Sequence, residues 1–163
     1  MSTRLSGYSG LQITLHWAIA VLVLIQLIFG DAMSHAIRAA NRGTQPTEAD
    51  QLWADIHYYV GIALLALVII RIIARWISGT PPVLERGLMR AAAYASHLLF
   101  YIVLILAPIL GLLAFYFGDP FGDLHQLSKP VLIVLIAIHF MAALYHQLWL
   151  KDGTLRRIIV PAK

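Results

Sequence analysis

Leu11 to Gly30 is a run of 20 residues without a charge, and a helix of that length crosses the roughly 30 Å hydrocarbon layer of a bilayer. No other feature restricts the chain as much. In lipid, backbone N–H and C=O groups find no water and must be satisfied within a helix or a closed barrel. Two further runs extend from about Trp53 to Ile77, with a charge-free heart from Ile56 to Ile70, and from about Ala91 to Phe117. A fourth stretch runs from Leu124 to Leu150, and its Pro130 suits the first turn of a helix. Helices are therefore expected over about residues 9–31, 52–77, 88–117 and 130–150. The apolar fraction is 60% and the charged fraction 12%, half the roughly 25% charged residues of a soluble domain. The expected fold is an all-α membrane protein: residues 1–163 form one domain, a four-transmembrane-helix bundle embedded in membrane lipid. No basic segment followed by a small-residue cleavage site opens the chain, so no signal peptide is expected.

The connections support four spans. Residues 31–52 are polar, with room for a short helix. Residues 78–90 break at Thr80-Pro81-Pro82, and 118–130 contain Gly118-Asp119-Pro120. Nine basic residues (Arg4, Arg71, Arg75, Arg86, Arg90, Lys151, Arg156, Arg157, Lys163) flank the termini and the second connection. Only Arg38, Arg42 and Lys129 lie in the first and third, together with six of the eight acids. The positive-inside rule then places both termini in the cytoplasm. Trp53, Trp76, Tyr116 and Trp149 fall at span ends, where interfacial aromatics belong. The basic residues form no separate stripe, so no nucleic-acid partner is expected.

Six of the seven histidines lie in or beside the spans; His35 is in the first connection. His125, His139 and His146 are separated by 14 and 7 residues, which on one helix returns each ring to within about 40° of the same stripe. Pro130 breaks the argument for His125 if a helix starts there, and leaves it intact for His139 and His146. By depth, His57 and His125 fall near the outer face, and His16, His97 and His146 near the inner one. His139 lies closer to the middle, so counting alone sets His16 level with His97 or His146. A single intramembrane histidine is ordinarily an interhelical hydrogen bond. Six at two depths point to ligation of a cofactor. With no cysteine, disulfides, zinc–thiolate sites, iron–sulfur clusters and thioether-linked haem are excluded. Zinc or copper would want carboxylate or sulfur partners, yet apart from Asp55 at the edge of the second run no Asp or Glu lies within a span, and Met33, Met89 and Met141 are scattered. Bis-imidazole haem needs only two histidines on facing helices at one depth, and two depths make two haems.

The chain resembles the bacterial cytochrome b561 family over nearly its whole length. The likeness is carried by Leu11-Gln12-Ile13-Thr14-Leu15-His16-Trp17, by His57 with Gly61, Arg71 and Arg75, and by the Thr80-Pro81-Pro82 turn. It continues through His97, Leu106-Ala107-Pro108-Ile109-Leu110-Gly111, the gap from His125 to His139, and His146 followed by Trp149-Leu150-Lys151-Asp152-Gly153-Thr154-Leu155.

That resemblance implies a bacterial inner-membrane protein with two non-covalent b-type haems, one held by His16 and His139 nearer the cytoplasm, the other by His57 and His125 nearer the periplasm. His146 stands as the rival of His139. It further implies transfer of electrons from a periplasmic donor, superoxide in one recognised activity, to ubiquinone. His97, His146, Trp149 and Lys151 offer titratable donors, an aromatic wall and a cation for a cytoplasmic quinone pocket. Lys129 offers a local charge to steer superoxide, although six acids against three bases make the outer field unfavourable for an anion. Acidic outer loops equally suit a basic partner protein and a non-catalytic electron-transfer role.

Overall fold

A computed structural model describes residues 7–82 and 87–162; Arg4, Arg86 and Lys163 of the basic flanks lie outside the described residues. Among the described residues six α-helices follow in order: α1 (Gly10–Phe29), α2 (Asp31–Asn41), α3 (Glu48–Ser78), α4 (Gly87–Phe117), α5 (Phe121–Tyr145) and α6 (Thr154–Arg157). A π-helical turn, His146–Leu150, continues α5. No strand occurs among the described residues. Among the described residues four helical segments, α1, α3, α4 and Phe121–Leu150, are long and apolar enough to cross a membrane.

Local chemistry sets the helix starts. Ser9 caps α1: its hydroxyl accepts from the Gln12 amide, while the Gln12 side chain accepts from the Ser9 amide. Thr47 caps α3, accepting from the Asp50 amide, so this helix begins at Glu48 rather than near 52. The third connection departs further from expectation. Phe121–Tyr145 is one continuous helix that passes through Pro130, and His125 lies within it instead of in a separate preceding segment. Proline costs a helix one donor and a steric clash with the preceding turn, but packing against neighbouring helices lets a membrane helix run through it.

The centre of the bundle is aliphatic. Ile19 and Val23 of α1 meet Leu64 and Val68 of α3, with Tyr101, Leu104 and Ile105 of α4 and Ile136 of α5 packed around them. Val68 is fully buried, at 0% exposure. Most other apolar side chains face outward: Ile69, Ile70, Leu98, Ile102, Ile133 and Val134 are all exposed, as lipid-facing residues must be.

Two glutamines, 14 residues apart on α1, fasten that helix to α3. Gln12 donates to the Gly79 carbonyl at 2.8 Å, and Gln26 to the His57 carbonyl at 2.9 Å. At the end holding residues 8 and 162, which we call the terminal face, the Ala162 amide donates to the Tyr8 carbonyl. The Trp17 indole donates there to the Ile158 carbonyl. At the opposite end, the loop face, α2 packs on α3, Phe29 stacks on Trp53 at 3.7 Å, and the Tyr58 and Tyr116 hydroxyls share a hydrogen bond.

An amide hydrogen bond between membrane helices is worth about 1 kcal/mol. Gln26→Leu is expected to cost that much in a denaturant titration of the detergent-solubilised protein. Unchanged stability would show that the Gln26 contact to α3 carries no weight.

Candidate functional site

Two groups of imidazoles lie on either side of the aliphatic centre. Toward the loop face, His57 of α3 faces His125 of α5 across the bundle, ring centroids 5.9 Å apart and planes at 87°. His125 Nδ1 lies 2.8 Å from the Ala107 carbonyl of α4. A carbonyl only accepts, so Nδ1 carries the proton and Nε2 the lone pair, the tautomer and second-shell bond typical of a metal-ligating histidine. One turn on, Gly111 leaves room for the ring: a Cβ there would stand 3.1 Å from His125 Cε1. Gly30 does the same for His57, with a Cβ falling 3.3 Å from its ring. His57 Nδ1 is buried and has no hydrogen-bond partner among the described residues, which is costly unless a further group meets that ring.

Toward the terminal face three imidazoles meet. His16 of α1 and His139 of α5 have ring centroids 6.3 Å apart, and His97 of α4 stands edge-on to His139 at 5.9 Å. Phe100 closes on His139 at 5.4 Å, and Trp17 on His16 at 5.3 Å. His97 Nδ1 donates to the Ala93 carbonyl at 2.6 Å. His16 and His139 are thus neighbours, although counting from the run ends set them at different depths. The fourth membrane segment is 30 residues long against 20 for α1, so it overhangs or tilts, and distance from its end overstates depth.

The rival, His146, is engaged elsewhere. It is 9% exposed and its Nδ1 lies 2.6 Å from Asp152 Oδ2, while the Thr154 amide donates to Asp152 Oδ1. Burial acts to raise the Asp152 carboxyl, but these hydrogen bonds prevail and hold it below the usual carboxylate range. The contact is therefore present at neutral pH and is lost only as the pH falls through that depressed value. The π-turn that begins at His146 turns Trp149 outward, 78% exposed, and Lys151 ends it in the left-handed region, at φ 50°.

The residues expected at a quinone pocket stand in different surroundings. His97 lies against His139, and His146 against Asp152. A cleft of about 460 Å³ at this end is lined by Gly7, Asp152, Gly153, Arg156, Arg157, Val160, Pro161 and Ala162. Lys129, the candidate for steering an anion, pairs with Asp31 of α2 at 2.7 Å. Its hydrogen bond holds the Asp31 carboxyl below the ordinary value. Sequence reasoning missed three groups at these sites: the Ala107 carbonyl, Gln26 and Asp152. Gln26 left a signal, an amide deep within an apolar run.

The histidine pairs fit the haems that the sequence suggests. Each pair brings imidazoles from two facing helices close together in an apolar bundle, the donor set that a non-covalent b-type haem would use. The observed separations are 5.9 and 6.3 Å. The lone pair on His125 Nε2 and the glycines flanking the outer rings agree with such a group. His57, His125, His16 and His139 would hold it. Adding a methyl at Gly111 presses on a ring already fixed by Ala107. Gly111→Ala is expected to lower haem occupancy at limiting haem about tenfold at the His57–His125 pair, if that pair holds haem, the scale of second-shell effects on metal binding. Undiminished occupancy would mean that the close approach is incidental.

Comparison with known proteins gives a consistent result. The family described as prokaryotic cytochrome b561 matches residues 7–161. The chain is 38% identical over 162 residues to cytochrome b562 of Cereibacter sphaeroides, covering 98% of this chain and 99% of that one. It is 28% identical over 176 residues to a probable superoxide oxidase, CybB, of Yersinia pestis, covering 93% and 95%. It is also 26% identical over 179 residues to cytochrome b561 homolog 1 of Escherichia coli K12, covering 95% and 98%.

Proposed function

This chain belongs to the prokaryotic cytochrome b561 family of membrane electron-transfer proteins, and on that premise we propose that it binds two b-type haems and carries electrons across the bacterial inner membrane from superoxide to ubiquinone. The observation that carries this reading is the pair of cross-helix imidazole couples, 5.9 and 6.3 Å apart, at opposite ends of an apolar bundle. Bound haem supplies one-electron iron redox chemistry that no side chain of this cysteine-free chain offers. In the overall reaction two superoxide anions each lose one electron and leave as dioxygen, while ubiquinone gains two electrons and two protons to become ubiquinol. Superoxide as donor rests on the relative described as a probable superoxide oxidase.

The chain's own residues supply orientation, exclusion and protons. The Ala107 carbonyl fixes the His125 ring. The aliphatic layer around Val68 keeps water out of the centre, so protons for the acceptor come from its own side of the membrane. The basic flanks favour a cytoplasmic terminal face, where His146 is bonded to Asp152 beside the exposed Trp149. Asp152 fixes the imidazole orientation, and the pair passes a proton to the quinone. Asp152→Asn is expected to cut quinone reduction about tenfold while both haems remain bound; an unchanged rate would remove the pair from the proton path.

A second reading follows from Lys129. Its charge is paired with Asp31, and the loop face carries more acids than bases, which favours a cationic protein as donor over a small anion. The two readings separate on one variant. With superoxide as donor, Lys129→Glu is expected to lower the second-order rate several-fold at low ionic strength, with both haems retained. An unchanged or raised rate would contradict superoxide entry at this face and support the protein donor.

A further inference from the structure

Arg71 is a cation within the bundle, and among the described residues no carboxylate is paired with it. It lies on α3 in the last third of a membrane-crossing helix and is only partly exposed. Its Nη1 donates to the Gln12 carbonyl of α1 at 2.8 Å. Arg75, one turn further along the same face, accompanies it. Among the described residues neither arginine has an Asp or Glu within ion-pair distance. A charged side chain at membrane depth is retained where it meets a counter-charge or a water-lined cavity.

The surroundings are shaped to receive one. Tyr8, Gln12, Arg71, Arg75, Thr80 and Tyr101 line a small, partly open cleft of about 10 Å³, room for an oxygen of an oxyanion entering from its mouth and too little for a quinone ring. The lining offers two guanidinium groups and the hydroxyls of Tyr8, Thr80 and Tyr101, a set of donors suited to an oxyanion. The position is fixed from both sides: Gln12 is 4% exposed, capped by Ser9 and bonded to Gly79. Gln12, whose carbonyl Arg71 meets, stands one helical turn before His16 on α1.

We propose that Arg71, with Arg75 beside it, binds a carboxylate carried by the group that His16 and His139 hold, a propionate of the inner haem. This rests on the inner-pair reading given above. A lipid phosphate is the other oxyanion within reach of this end of the bundle.

A chemical double-mutant cycle tests the proposal. Wild type and Arg71→Gln, each prepared with haem and with haem dimethyl ester, are titrated spectroscopically for the midpoint potentials of both haems. Losing a cation beside the iron favours the ferric state. Arg71→Gln is therefore expected to lower one potential and leave the other unmoved, and Arg71→Lys to lower it less. Esterification and Arg71→Gln are expected to be non-additive, because each removes one half of the same ion pair. If the Gln variant retains only the outer haem, the Lys variant carries the cycle. Additive effects, or two unmoved potentials, would overturn the proposal; loss of tightly bound phospholipid phosphorus in the same variant would assign the site to a headgroup. His16→Ala tests the underlying reading separately. It is expected to remove the haem whose potential responds, and removal of the other haem would refute the inner pair while leaving the cycle interpretable.

Discussion

An imidazole inside a membrane has to be partnered, and that requirement organises this bundle. Four helices dominated by Leu, Ile, Val and Ala would pack in lipid with little to specify register, because lipid tails are as apolar as the side chains. Polar groups impose one. His57 and His125 meet across α3 and α5, and His16, His97 and His139 join α1, α4 and α5. Between these two levels sits the dry layer around Val68. Along α5, the 14 residues from His125 to His139 amount to about 21 Å, so the two imidazole levels stand well apart within one bilayer thickness.

The remaining polar contacts hold these levels in place. Gln26 binds the carbonyl of His57 itself, so the α1–α3 fastening and the loop-face histidine pair share a residue. At the opposite end Gln12 receives Arg71 on its carbonyl and gives its side chain to Gly79, linking α1, α3 and the second connection within one turn of His16. The chain beyond α5 folds back onto this end through Ile158, Ala162 and Arg157, which meet Trp17, Tyr8 and Pro82. The terminal face is thus closed by hydrogen bonds between segments distant in sequence. The loop face is closed by aromatic stacking and the Lys129–Asp31 pair.

Much of this was legible in the sequence, for physical reasons. Lipid demands long uncharged runs, so the four spans could be read directly, and rare intramembrane histidines stood out against them. What could not be read was what helix geometry decides at close range. Pro130 looked like a helix start because proline lacks a donor, yet tertiary packing carries α5 through it. Thr47 extended α3 by capping, a local signal outweighed by the polarity of the surrounding residues. Depth counting set His16 apart from His139 because it assumed spans of equal length and no tilt. Carbonyl acceptors such as Ala107 leave no trace in side-chain identity, and Asp152 lay beyond the last span, where its pairing with His146 had no pattern to announce it.

The most direct test of two imidazole-held haems is a count. Purified protein, prepared with excess haem available, is examined by reduced-minus-oxidised absorbance with haem quantified per chain, alongside His57→Ala and His16→Ala. Two b-type haems per chain are expected, falling to one in each variant with a different haem lost. One haem in the unaltered protein, or two retained in either variant, would contradict the pairing of His57 with His125 and His16 with His139.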